Sequence, residues 1–306
     1  MLLIEFFRNF FSPLRLRGRS ENTTRLYLCT IKSFKKFLNE DHDGGREPTL
    51  DDLDDLTLSR FLAARASKRS PYTAEKERTQ LLSLARFAVD RGLLKIRPCV
   101  PAAPLPERIP TCWSVEQCRR LIVAAGLEQG IISGTPSGVF FRALVATLWE
   151  TAERIGAITS LRVVDYQDGK ILVRAEYRKG RKRDKLYSLT SDTCSLLDEA
   201  IRGKKPSELI FKWHKQKTNL WYAFGKIVER AGLDGGRRAK FHQLRRSAAT
   251  FYAAAGGDAT ALLDHSSPRV TKAYLDPRFL KTGPQPCDIL PSLHSSDEPA
   301  GGGSTG

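Results

Sequence analysis

In the segment 20–38, SENTTRLYLCTIKSFKKFL, apolar Tyr27, Ile31, Phe34 and Leu38 fall at i, i+4, i+7 and i+11. That spacing lines one face of an α-helix, and Lys32, Lys35 and Lys36 take most of the remaining arc. Ser20 stands where an N-cap is expected. A stretch rich in Asp and Gly at 41–47 interrupts the pattern. It resumes around Leu58, Phe61, Leu62 and Arg65, and again from about Thr73 through Leu81, Leu84, Ala85 and Ala88. The last run stops at Gly92, a natural residue to follow a helix C-terminus. Residues 1–97 therefore predict a small helical domain with basic faces.

Residues 98–110, PCVPAAPLPERIP, hold five prolines in thirteen positions. Proline ends helices and favours an extended, stiff connection, so this stretch predicts a linker. A second domain follows over 111–279. Ser114-Val115-Glu116-Gln117 has the capping-box form and opens an amphipathic helix through Leu121 and Ile122. GVFFRALVATLWE predicts a core helix, and KILVRAEY and KLYSLT alternate on either side of a basic turn, as a β-hairpin does. Helical patterning returns from Thr218 to about Tyr274. Residues 280–306 are rich in Pro, Gly and Ser and predict a disordered tail. The expected fold class is mainly α with a small β-hairpin or sheet: a helical domain followed by a mixed α/β domain.

Charge sharpens this picture. The 306 residues carry 50 Lys+Arg against 34 Asp+Glu, a net charge of +16. An excess of that size on a folded chain predicts a polyanionic partner, most often nucleic acid. No stretch approaches the ~18 apolar residues of a membrane span, and the opening residues are apolar first and basic second, the reverse of a signal peptide. Cys29, Cys99, Cys112, Cys118, Cys194 and Cys287 form no C-x-x-C pair, which suits a reducing compartment. The expected setting is the cytoplasm, near the nucleoid, with no membrane partner.

Four segments of the second domain gather reactive side chains. TAERIGAITSLRVVDY places Arg154 at the end of an apolar helix. The hairpin carries Arg174, Arg178, Lys179, Arg181, Lys182, Arg183 and Lys185. FHQLRRSAATFYAAAG sets His242 and Arg245 one helical turn apart, on one face. LLDHSSPRVTKAYLD puts His265 nine residues before Tyr274. No carboxylate cluster or Cys/His ligand set accompanies them, so neither metal nor cofactor is expected. Guanidinium forks match the non-bridging oxygens of a phosphodiester and stabilise charge that develops there. A tyrosine hydroxyl is a covalent nucleophile once cations and a base help remove its proton, and a lysine or histidine can protonate the leaving oxygen. The set fits metal-independent phosphoryl transfer through a tyrosyl–phosphate ester. Lys32, Lys35, Lys36, Arg178, Arg181, Lys182, Arg183 and Arg246 are the candidate DNA-phosphate contacts. Hairpin register leaves the choice of lysine open.

These residues resemble the tyrosine recombinase, or phage integrase, family from about residue 5 to 277. Ser20-Glu21-Asn22-Thr23 with Tyr27 is similar to the S-x-N-T…Y start of the family's helical core-binding domain. Arg154 falls on the arginine of T-G-L-R-x-x-E, and Lys179 on the lysine of the β-hairpin. His242-Gln243-Leu244-Arg245 matches H-x-L-R, and Leu263-Asp264-His265-Ser266-Ser267 matches L-G-H-S-S, with Tyr274 as the nucleophile. The chain departs from the pattern at Ala157, where glutamate is usual, and at Asp264, where glycine is usual. The stretch from Arg245 to His265 is also shorter than in many members. The resemblance implies a site-specific recombinase in which Arg154, Lys179, His242, Arg245, His265 and Tyr274 are catalytic, with Lys182 competing for the role of Lys179 because hairpin register is open. It implies double-stranded DNA as substrate, and a homotetramer on two DNA sites. Strand passage of the type IB topoisomerase kind, and a DNA-binding protein whose pocket has decayed, are the alternatives.

Overall fold

The computed structural model describes residues 1–40, 45–178, 183–234 and 240–280. Contacts divide the chain into two compact units, Met1–Glu107 and Arg108–Gly306, parting within the proline-rich stretch. The tail beyond residue 280 lies outside the described residues.

The first unit is helical. Helices α1 (Leu3–Phe6) and α2 (Ser12–Arg15) are joined through a π-type turn, Phe7–Phe11, and bury Leu3, Phe6, Phe7 and Phe11. Helices α3 (Glu21–Leu38), α4 (Asp55–Lys68) and α5 (Pro71–Val89) complete it. The apolar stripe of α3 turns Ile31 and Phe34 into the core, where Phe34 meets Phe61 of α4 edge-on at 5.2 Å. Helix starts follow local chemistry: Asp54 accepts from the Thr57 amide at 2.9 Å, and Ser70 from the Thr73 amide at 3.2 Å just before Pro71. Ser20 occupies the N-cap position of α3, but its hydroxyl meets Thr23 Oγ1 at 3.1 Å and caps no amide.

In the second unit, α6 (Val115–Gly126) opens with both halves of the capping box in place. Strands β1 (Ile131–Ile132) and β2 (Thr135–Pro136) form a tight hairpin leading into α7 (Ser137–Thr151), the most buried helix. Helix α8 (Ile155–Ile158) follows after a sharp corner. Strands β3 (Tyr166–Gln167), β4 (Lys170–Val173) and β5 (Lys185–Ser188) make an antiparallel sheet in that order, with Val173 opposite Lys185. Ile171 and Val173 point into the core. Helices α9 (Ser191–Ile201), α10 (Lys217–Arg230), α11 (Lys240–Ala254), α12 (Ala259–Leu263) and α13 (Pro268–Lys272) close the unit.

The fold is mainly helical with small sheets, as the periodicity predicts. The hairpin differs in two details. A third strand, β3, joins it, and Ala175–Tyr177 leaves the ladder as a single 3-10 turn. No helix among the described residues is long and apolar enough to cross a membrane.

Candidate active site

The corner between α7 and α8 sets the first arginine. Ala152 takes a left-handed conformation, φ 47°, which stops α7, and its carbonyl accepts from Arg245 Nη1. Glu153 is buried, and Arg154 occupies the N-cap position of α8 with its side chain half-buried. Helix α11 then presents His242 in its first turn and Arg245 and Arg246 in the next. Arg245 is buried and donates through Nη2 to the Leu263 carbonyl at 3.0 Å. Asp264, left-handed at φ 54°, closes α12 and turns the chain so that His265 faces α13. There His265 Nδ1 lies 3.1 Å from Thr271 Oγ1.

Tyr274 follows α13 and sits among these groups. Its ring lies edge-on to His242 at 5.1 Å and to His265 at 5.4 Å, with the Arg246 guanidinium 5.3 Å from its centroid. Its hydroxyl is 3.5 Å from the His242 carbonyl oxygen. Burial raises the Tyr274 hydroxyl above the usual tyrosine range, while the charges of Arg245, Arg246 and Arg154 pull it back down. Partial burial, then the surrounding arginines, push His242 down to about 4. The same two causes lower His265. Both imidazoles are therefore neutral near pH 7, each with one donor and one acceptor ring nitrogen. Burial also works against the Arg245 charge, which Tyr274 and the Glu153 carboxylate support.

Beneath this pocket runs a layer of which the sequence patterns singled out only Arg178 and Lys185, as cations of the hairpin. Glu153 Oε1 accepts from Arg178 Nε at 2.7 Å and from the Tyr187 hydroxyl at 2.9 Å, and its Oε2 lies 3.8 Å from Arg245 Nη1. Lys185 of β5 donates to the carbonyls of Ala261 and Leu262, tying the sheet to the end of α12. Two residues beyond Tyr274, the buried Asp276 carboxylate accepts from the Cys112 amide at 2.8 Å and from Arg278 Nη2 at 2.7 Å. The one sequence signal for Glu153 is a carboxylate, beside an arginine, in an otherwise apolar corner where the family pattern has leucine.

The structure thus brings Arg154, His242, Arg245, His265 and Tyr274 into one pocket. Lys179, Arg181 and Lys182 lie outside the described residues. Arg178 requires correction as a DNA-phosphate candidate: its side chain is 3% exposed and its charge is already neutralised by Glu153. Arg183 is open to solvent but pairs with Asp264 at 3.0 Å. Lys35 pairs with Glu47, whereas Lys32 and Lys36 are exposed. Arg246 is half-buried, stacked on Tyr274 and donating to the Thr111 carbonyl at 3.0 Å. Among the described residues, no group of three or more His, Cys, Asp or Glu is gathered as a metal site.

Comparison with known proteins bears on the fold and the family. The tyrosine recombinase XerC of Lactobacillus delbrueckii subsp. bulgaricus is 27% identical over 278 residues, covering 84% of this chain and 89% of that protein. The tyrosine recombinase XerD of Ralstonia nicotianae is 24% identical and covers 84% of each. A lambda integrase dimer bound to a COC' core site superposes with a TM-score of 0.70 at 18% identity, over 93% of this chain and 99% of that one. The XerH site-specific recombinase, in a pre-cleavage complex with difH substrate, gives a TM-score of 0.62 at 19% identity, over 84% of this chain and 78% of that one. At such identities the structural likeness shows the fold. Residues 116–280, more than half of the chain and all of the pocket, match the phage integrase family. The chain belongs to that family and is a tyrosine-type site-specific recombinase, an enzyme that cuts and rejoins DNA strands.

Proposed function

We propose that Tyr274 is the nucleophile. Its hydroxyl oxygen attacks the scissile phosphorus, the bond to the 5′-oxygen breaks, and a 3′-phosphotyrosyl ester and a free 5′-hydroxyl result. His242, neutral at working pH, takes the tyrosine proton. Arg154 and Arg245 hold the non-bridging oxygens and stabilise the charge that builds on them. His265 adds a hydrogen bond, and Lys179 protonates the departing 5′-oxygen, with Lys182 as its competitor. The ester retains the energy of the broken linkage, so rejoining to a partner strand needs no other energy source.

Residues 1–97 form the core-binding domain in this reading, and 111–279 the catalytic domain. Lys32, Lys36 and Arg183 contribute phosphate contacts. Four copies assemble on two double-stranded DNA sites in the cytoplasm, at the nucleoid. The observation that carries the reading is the Tyr274 ring, held between two neutral imidazoles beside the buried Arg245.

Covalent capture tests it. The protein and a Tyr274→Phe variant are incubated, with chelator present, with duplex fragments flanking the gene that encodes the chain. A protease-sensitive protein–DNA adduct is expected with the wild type and not with the variant. An equal adduct in the variant overturns the assignment of the nucleophile. Relaxation of plasmid lacking any captured site, without strand exchange between two sites, would favour topoisomerase-like action.

A further inference from the structure

The two departures from the family pattern that carry acid chemistry converge on one side chain. Arg178 is buried, and its Nε is held by Glu153 Oε1 at 2.7 Å. Its Nη1 lies 3.5 Å from Asp264 Oδ2 and donates to the Arg183 carbonyl at 3.2 Å. Glu153 stands where the pattern has leucine and Asp264 where it has glycine. Ala157, at the place of the usual glutamate, is buried within the apolar core and supplies no carboxylate.

The contacts close into a ring. Arg245 reaches Glu153 at 3.8 Å, Glu153 binds Arg178, and Arg178 faces Asp264. The ring returns to Arg245 through the Leu263 carbonyl, one residue before Asp264, at 3.0 Å. Two carboxylates thus balance two guanidiniums beneath the pocket. Each member belongs to a different segment: the α7–α8 corner beside Arg154, the hairpin arm, the turn beside His265, and α11. Asp264 also keeps a left-handed backbone, φ 54°, that glycine adopts without strain. Aspartate tolerates that region better than most residues, and here its carboxylate offsets the strain by pairing with Arg178 and Arg183.

We infer that Glu153, Arg178 and Asp264 form a single positioning device for the cleavage step. Glu153 fixes Arg245, Asp264 fixes the turn that presents His265, and Arg178 couples the two. None of the three touches DNA. Arg178 also keeps the carboxylates from presenting net negative charge beside Arg245. The inference rests on the proposed cleavage by Tyr274, and it predicts that the carboxylates act through one shared guanidinium.

A mutant cycle tests this, with Glu153→Gln, Asp264→Asn and the double variant. Single-turnover cleavage of the captured fragment is expected to fall about 10- to 100-fold in each single variant, with duplex affinity within about twofold of wild type. The double variant is expected to be no slower than the worse single one. Multiplying effects, or affinity falling in step with cleavage, would overturn the device. If a single variant fails to fold, Glu153→Leu/Arg178→Met/Asp264→Gly removes all three charges together, a change buried ion clusters often tolerate. That variant is expected to fold, bind DNA and cleave slowly, and wild-type cleavage would equally overturn the proposal. NMR of the His242 and His265 rings in free protein separates this from failure of the cleavage reading. Their signals and titrations should shift in the same non-additive way even if the wild type yields no adduct, and unshifted rings would sink the device on their own.

Discussion

Asp276 ends the segment that carries Tyr274, and its carboxylate is wholly buried while accepting from the Cys112 amide and from Arg278. Although burial alone would raise it, those hydrogen bonds hold the carboxyl down to about 2, below its ordinary 3.8. A depressed carboxyl stabilises the folded state above its unfolded value, and the contribution is lost as pH falls from about 4 through about 2. Because Arg278 is open to solvent, the contribution is on the order of 1–2 kcal/mol. Asp276→Asn should lower stability near neutral pH by that amount and flatten the acid limb below pH 4, as measured by denaturant unfolding across pH. The site was legible in the sequence wherever side chains meet in a fixed chain order: His242 with Arg245, then His265 with Tyr274. It was illegible wherever a partner arrives from another segment. Glu153 holds no acidic position of the motif and Arg178 reads as one more cation in a basic run, and only the fold brings them to 2.7 Å of each other. Asp276 carries no motif at all, since its partners lie 164 residues upstream and two downstream.

At the scale of elements, the packing of α6 against α7 sets the frame from which the Arg154 corner projects. Gly138, in the first turn of α7, allows that approach: a Cβ there would come 2.5 Å from the carbonyl oxygen of Gly126. Alanine has up to about 1 kcal/mol better helix propensity than glycine, and less in a first turn. Overpacking against a backbone atom, which has no rotamer to move into, costs about 1–3 kcal/mol and wins. Gly138→Ala should therefore be net destabilising by about 1–2 kcal/mol, read as a lower thermal midpoint of the full chain. An unchanged or raised midpoint would show that α6 and α7 can slide apart. The elements legible in the sequence were the helices with several turns of periodic burial, α3, α4, α5, α6 and α7, and the two hairpin arms that became β4 and β5. Strands β1, β2 and β3 have two residues each, too few to show any alternation. The segment 175–177 alternates like a strand, yet the Ala175 amide bonds Asp184 Oδ1 at 2.7 Å, and the chain turns instead of continuing the ladder.

For the molecule as a whole, the net charge of +16 must be divided between cations already neutralised inside the protein and cations left for DNA. The structure makes that division residue by residue. On α3, Lys35 pairs with Glu47, while Lys32 and Lys36 are exposed on the same basic arc. Each cation that settles on a phosphate releases condensed counterions, so affinity falls with salt at a slope of about 0.9 per phosphate contact. Full-length protein titrated onto labelled duplex should lose affinity by orders of magnitude between about 50 and 200 mM salt if it makes about six to ten such contacts. Lys32→Ala and Lys36→Ala should each weaken binding on every sequence and reduce the slope by about one. Lys35→Ala should change it less, because binding there must first compete with Glu47. Fluorescence anisotropy at four or five salt concentrations measures all three slopes. Equal losses at the three lysines would mean that the Glu47 pair opens on DNA. No loss at Lys32 or Lys36 would move the DNA face of the first unit away from α3.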